Sequence, residues 1–327
     1  MGAKSQTAST HQTSSLPGQE SSLHPLLEPQ SSRRTMPAGA YTLIVTPFDR
    51  QGRLDEQGLR TLVRRQVEAG IHGISPLGVT GEIYSLSERE IEKVVEIVVE
   101  EAKDRCLVVP EIASNNMDVA VARARLYADT GCDYAVAFTP FLASPPQRAI
   151  IEFYRRLADK SPIPIVLHNS KGRTGIDMTP ETIATLAEHE NIVGIKEGSL
   201  NAQHVSKVIH LTLDADFSVY SAKDTTALPY LCMGGSGVFT VSGNIIPEEM
   251  ASLVEYFLKG EYSRAWRIHH RYFELFEALR FETNPMAVKE AMRMLGLPAG
   301  YVRPPLTDLK EEYRRLLEER LRRAGLL

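Results

Sequence analysis

The chain is poor in cysteine and tryptophan, with three of the first and one of the second in 327 residues. Cys106, Cys132 and Cys232 are scattered, odd in number and never in a C-x-x-C pair. That excludes a disulfide framework and the usual zinc and thiol-redox spacings, and it points to a reducing compartment, the cytoplasm. No apolar run is long enough to cross a bilayer, so no membrane partner is expected. The net charge is −4, which gives no basic surface for nucleic acid. No P-loop, H-E-x-x-H or zinc spacing occurs, so neither a cofactor nor a metal is expected.

What the chain does have is a regular rhythm. A hydrophobic content of 43% with 24% charged residues is that of a globular protein. Residues 1–38 stand apart: they are rich in Ser, Thr, Gln and Pro and lack apolar periodicity, which predicts a disordered leader. From Ala40 onward, strands expected at 41–46, 71–76, 106–112, 134–138, 164–168, 192–196, 217–221 and 238–241 alternate with helices. Ser87 and Glu90 read as a capping box, and Thr179 as an N-cap with Pro180 in the first turn. Glycine closes several helices in similar turns, as in Ala69-Gly70-Ile71, Thr130-Gly131-Cys132 and Met233-Gly234-Gly235.

Eight strand–helix units predict an α/β fold, a (β/α)8 TIM barrel over residues 39–260. An open doubly wound sheet would want a glycine-rich loop after its first strand, and Thr46-Pro47-Phe48-Asp49 is not one. Residues 261–327 carry helical patterns only, at 262–279, 285–295 and 306–324, and form a C-terminal helical extension.

Barrel enzymes place their chemistry where strands end. The run Ile192-Val193-Gly194-Ile195-Lys196-Glu197-Gly198 is a buried strand that ends on lysine. A desolvated lysine is an amine nucleophile toward a carbonyl. The competing reading has Lys196 pointing to water and paired with Glu197. Gly78-Val79-Thr80-Gly81-Glu82 follows strand two, where two glycines let successive N–H groups converge on an anion such as a carboxylate. His168 ends strand five, where a general acid/base would stand, or where an imidazole would simply satisfy a backbone carbonyl. Arg173 follows it, placed to fork onto a carboxylate or to form a surface ion pair. Lys223 and Asp224, after strand seven, read either as a structural pair or as a second pocket cation.

Taken together, these segments resemble the family of dihydrodipicolinate synthase and N-acetylneuraminate lyase. The features are Val45-Thr46-Pro47-Phe48, Gly78 through Glu82, His168 through Gly175, Gly194-Ile195-Lys196-Glu197, Gly234 through Val238, and Glu282 through Lys289. The resemblance implies a homotetramer, or a dimer of that type. It also implies a Schiff base between Lys196 and the keto carbon of pyruvate or another 2-oxo acid. Val79 and Thr80 match the carboxylate-binding loop, and Phe239 matches a position whose backbone lines the pocket. The departures bear on the reaction. Val79 replaces a hydroxyl residue, His168 replaces a tyrosine, and Leu142 replaces a tyrosine that reaches into a neighbouring subunit.

Three readings follow. One is a Schiff-base lyase, aldolase or dehydratase of a 2-oxo acid, with Lys196 and His168 as its catalytic residues. The second is a 4-hydroxy-tetrahydrodipicolinate synthase with an altered proton relay. The third is a catalytically impaired paralogue that binds a keto acid.

Overall fold

Among the described residues nine short strands make one parallel sheet: β1 (Gly39–Leu43), β2 (Gly73–Ser75), β3 (Leu107–Val108), β4 (Glu111–Ile112), β5 (Ala135–Phe138), β6 (Ile165–Asn169), β7 (Ile192–Glu197), β8 (Ser218–Ser221) and β9 (Gly237–Thr240). The computed structural model describes residues 1–2, 35–102 and 104–327. The hydrogen-bonded order is β3-β2-β1-β9-β8-β7-β6-β5-β4. Its two ends, β3 and β4, are consecutive pieces of one run, so the sheet closes on itself as an eight-stave (β/α)8 barrel. The expected single strand at 106–112 is divided because Pro110 has no N–H to give the ladder; its carbonyl still accepts from Val136.

The helices form where their ends are satisfied. Asp55 accepts from the Gly58 amide at 2.9 Å, Asn116 from Asp118 at 2.9 Å, and Thr179 from Thr182 at 3.2 Å. Ser87 and Glu90 make both bonds of the capping box. Gly131 ends its helix at φ 97°, a left-handed conformation that penalises a Cβ. The last helix begins at Glu311 rather than at 306. Its predicted first turn is instead part of an irregular strap, in which the Arg303 guanidinium binds the Gly52 and Ser85 carbonyls and Glu90.

Two apolar layers result. One lies between strands and helices and includes Leu59, Val94, Ile150, Ile183 and Val254. The other fills the barrel: Tyr41, Val109, Val136, Val166, Val193, Tyr220 and Phe239, with Met36 beneath them. Most of the expected leader, residues 3–34, lies outside the described residues. Residues 35–38 pack against the barrel. Met36 is buried, the Tyr41 hydroxyl donates to the Pro37 carbonyl, and the Tyr220 hydroxyl donates to those of Met36 and Pro37. The Tyr134 hydroxyl reaches the Thr35 carbonyl. Among the described residues no helix is long and apolar enough to cross a membrane.

Candidate active site

Adjacent parallel strands bring the two strand-end candidates together. His168 of β6 stands opposite Lys196 of β7, so both side chains leave the same face of the sheet, toward the barrel axis. Glu197, one residue further, points the other way. Its carboxylate takes the Asn169 side-chain amide at 3.0 Å, the Ser199 backbone N–H at 2.8 Å and His204 at 3.3 Å. The alternative pairing of Lys196 with Glu197 is therefore absent, and so is exposure: Lys196 is 3% exposed.

The partner of Lys196 is a residue that sequence reasoning missed. Glu111 of β4 is fully buried at 0% exposure. Its Oε1 lies 2.6 Å from Lys196 Nζ and its Oε2 lies 3.1 Å from His168 Nδ1. Because an ionised carboxylate only accepts, the His168 proton sits on Nδ1 and Nε2 keeps its lone pair. Among the described residues Nε2 has no hydrogen-bond partner. The histidine is thus held by a carboxylate, not by a backbone carbonyl.

The electrostatics of the three groups are mutual. Burial pushes the Glu111 carboxyl up, but Lys196 and then His168 outweigh it and hold it at about 2. Burial, followed by the charge of Lys196, pushes the His168 imidazole down to about 4. Burial lowers the Lys196 ammonium against the pull of Glu111. At neutral pH Glu111 is a carboxylate and His168 a neutral imidazole. Phe138 packs on the imidazole at 4.1 Å between ring centroids, and the Phe239 ring lies 5.3 Å from Lys196 Nζ. Phe239 therefore presents its ring to the amine, beyond the backbone contact expected of it. Tyr41 stacks against that ring at 5.3 Å.

The loop after β2 closes over Glu111. Gly78 has φ 65°, and a Cβ there would stand 2.4 Å from Glu111 Oε1, so both conformation and space require glycine. The next amides turn inward on the loop: Gly81 N–H donates to Leu77, Glu82 to Val79 and Ile83 to Gly78. Among the described residues the Val79 and Thr80 amides have no acceptor, which leaves two adjacent donors for an anion. The buried Thr80 hydroxyl accepts from Asn284 at 2.8 Å, so its own proton remains available.

Arg173 is exposed at the rim and donates to Thr283 Oγ1 at 2.9 Å. Thr283 and Asn284 thereby link Arg173 to Thr80. Partial burial of its guanidinium and the like charge of Arg280 lower Arg173 from its ordinary value. Lys223 does not pair with Asp224. The aspartate accepts the Val241 and Ser242 amides, while Lys223, lowered by partial burial, lies near Arg280 and Glu197. Leu142 is 89% exposed and takes no part in the pocket of its own chain.

Comparison with known proteins gives a consistent picture. The model of the dihydrodipicolinate synthetase family matches residues 36–324. The chain is 43% identical over 277 residues to the 4-hydroxy-tetrahydrodipicolinate synthase of Methanothrix thermoacetophila, covering 84% of this chain and 92% of that one. Among solved structures, the chloride-inhibited dihydrodipicolinate synthase of Acinetobacter baumannii complexed with pyruvate superposes with a TM-score of 0.87 at 31% identity, covering 89% of this chain and all of that one. A monomeric dihydrodipicolinate synthase variant superposes at 0.86 with 32% identity, covering 89% and 97%. A buried strand-end lysine in a closed parallel barrel, matched along nearly its whole folded length, places this chain in the dihydrodipicolinate synthetase family, class I lyases that work through a lysine Schiff base.

Proposed function

We propose that this protein forms a Schiff base between Lys196 and pyruvate or a related 2-oxo acid, and makes or breaks a bond at the carbon next to the iminium. The observation that supports this most directly is Lys196 itself, buried at the mouth of β7 beside an unprotonated imidazole nitrogen. Lys196 Nζ gives up a proton and attacks the keto carbon, and that proton leaves with the carbonyl oxygen as water. The iminium then draws electrons from the adjacent carbon, and His168 Nε2 takes or returns the proton there. The Val79 and Thr80 amides and the Thr80 hydroxyl hold the substrate carboxylate. Arg173 stands at the rim for a second charged group, and Phe239 packs beneath the amine.

The second reading is condensation of pyruvate with aspartate semialdehyde, and the likeness to the 4-hydroxy-tetrahydrodipicolinate synthase of Methanothrix thermoacetophila favours it. The first is favoured by the imidazole at the strand end, which replaces a phenolic relay. A cytoplasmic homotetramer, or a dimer, belongs to the same proposal, and sedimentation equilibrium tests the assembly.

The deciding experiment is borohydride reduction in the presence of pyruvate, followed by peptide mass spectrometry. A reduced adduct on Lys196 is the expected result. A folded protein that binds pyruvate and gives no adduct would overturn the proposal in favour of a keto-acid binder. With the adduct in hand, pyruvate release from a single 2-oxo-3-deoxy acid marks the lyase, and consumption of pyruvate with aspartate semialdehyde marks the synthase.

A further inference from the structure

We propose that Glu111 is a third catalytic residue: it is the counterion of the Lys196 nitrogen both as ammonium and as iminium, and through its other oxygen it receives the charge when the proton moves to His168. This rests on the Schiff-base reading of Lys196.

The site is built around this carboxylate. Glu111 comes from β4, His168 from β6 and Lys196 from β7, and the loop after β2 keeps a glycine against it. Titratable groups face the carboxylate from β6 and β7, and Phe239 from β9 brings only its ring to the amine. Tyr127, from the helix Met117–Thr130, reaches the Glu111 main-chain carbonyl at 3.0 Å rather than the carboxylate. Among the described residues no backbone amide or hydroxyl donates to either carboxylate oxygen. Both are committed to the two groups that exchange protons during the reaction.

The chemistry shows why this division matters. Lysine ammonium and a ketone give an iminium and water. The ammonium first lends one proton to Glu111 Oε1, 2.6 Å away, which frees the lone pair that forms the C–N bond; that proton and a second one leave with the carbonyl oxygen as water, and the third stays on nitrogen. One positive charge lies on that nitrogen before and after, so a fixed anion 2.6 Å away serves both states and is ionised in each. In the next step the C–H pair becomes the C2–C3 double bond, the C=N pair returns to nitrogen, and the proton goes to His168 Nε2. The positive charge leaves the partner of Oε1 and appears on the partner of Oε2, 3.1 Å away. Glu111 faces a single cation before and after each step. The imidazole, lowered by burial and by the neighbouring cation, is also freed of that cation at the moment it must accept a proton. A carboxylate that orients a histidine and stabilises its imidazolium is an established arrangement for general bases. Here the same carboxylate also neutralises the nucleophile.

A scaffold role and a counterion role separate on proton counting. If Glu111 neutralises Lys196 in both states, pyruvate adduct formation by the parent enzyme takes up no net proton. Calorimetry in buffers of different ionisation enthalpy at pH 7 should therefore read near zero. An uptake near one proton per site would show a neutral amine in the free enzyme and overturn the proposal, and this measurement needs no variant.

Glu111→Gln removes the charge and keeps the shape. In the variant the iminium is an unpaired buried cation. Adduct trapping should fall by about 100-fold or more at pH 7. The pH at which half the adduct is lost should move down by about one unit or more. Glu111→Asp, which keeps the charge, should retain the parent pH midpoint even where its rate falls. If Glu111→Gln traps pyruvate with the parent's rate and pH midpoint, the role of Glu111 is wrong and the Schiff base stands. If the parent itself gives no adduct, the Schiff-base reading fails first.

Discussion

Lys289 offers a sharp test of how the C-terminal extension supports the site. It is 1% exposed, and its ammonium donates to Glu82 and to the Tyr301 carbonyl at 2.7 Å. The ring of Phe48 lies 4.5 Å beneath it. The other oxygen of Glu82 accepts the Arg303 amide at 2.9 Å. Burial lowers the Lys289 ammonium to about 8, against the pull of Glu82, so desolvation offsets much of the pair's attraction. Removing only the cation is a different matter. Lys289→Met leaves a buried carboxylate without its counter-charge and a carbonyl without its donor, and such a break costs about 3–5 kcal/mol. Glu82→Gln combined with Lys289→Met removes both charges while the Arg303 amide keeps an acceptor. The double variant should regain about 1–3 kcal/mol of the single variant's loss, as expected of contacting partners. Urea unfolding followed by circular dichroism, with all variants at one protein concentration, reads these differences directly. A Lys289→Met variant within about 1 kcal/mol of the parent would refute the reasoning, as would a double variant no more stable than the single. Glu82 also ends the loop that offers the Val79 and Thr80 amides. The single variant should therefore raise KM for the 2-oxo acid more than it lowers kcat.

Three further outcomes are expected. Gly78→Ala should lose about 1–2 kcal/mol from its left-handed backbone, and it should lower kcat as well, because the new methyl meets the Glu111 carboxylate; unchanged kcat would count against the packing described here. His168→Gln should reduce turnover by about 10²–10⁴-fold while leaving the borohydride adduct on Lys196 intact, and turnover near the parent's would remove His168 from the mechanism. Three carboxyls are held at about 2: Glu90 chiefly by its bond to Arg303, Glu101 by its bond to Arg64, and Glu111 by Lys196 and His168 acting against burial. Their folded pKa values lie below the unfolded one. The stability they contribute is present above the ordinary carboxylate range near 4.5 and is lost as pH falls through about 2. A urea midpoint that did not decline over that interval would contradict the assignment.

The barrel was legible because its signals are local. Caps such as Asp55, Ser87 and Thr179 declare helix starts within one turn, and the strand-end rule marks Lys196 and His168 without any knowledge of their neighbours. Glu111 was passed over because it sits inside an apolar run, Leu107-Val108-Val109-Pro110-Glu111-Ile112, that reads as an ordinary buried strand. The available signal was the charge itself: an acidic residue in such a strand needs a buried cation, and Lys196 was the open candidate. The Arg173–Thr283 and Asn284–Thr80 contacts join segments 110 and 204 residues apart, and no periodicity reports a pairing of that range. The pairing of Lys196 with Glu197 failed on strand geometry, since neighbours in a strand face opposite sides.

The tyrosine contacts at the base of the barrel set a limit on trimming the chain. Tyr41, Tyr134 and Tyr220 project into the interior and donate to main-chain oxygens of Thr35, Met36 and Pro37. A protease, or a designer of shorter variants, has no such constraint from these bonds before Thr35. A cut after Pro37 would take away all three acceptors and leave buried phenols searching for new ones, against the Phe239 ring that faces Lys196.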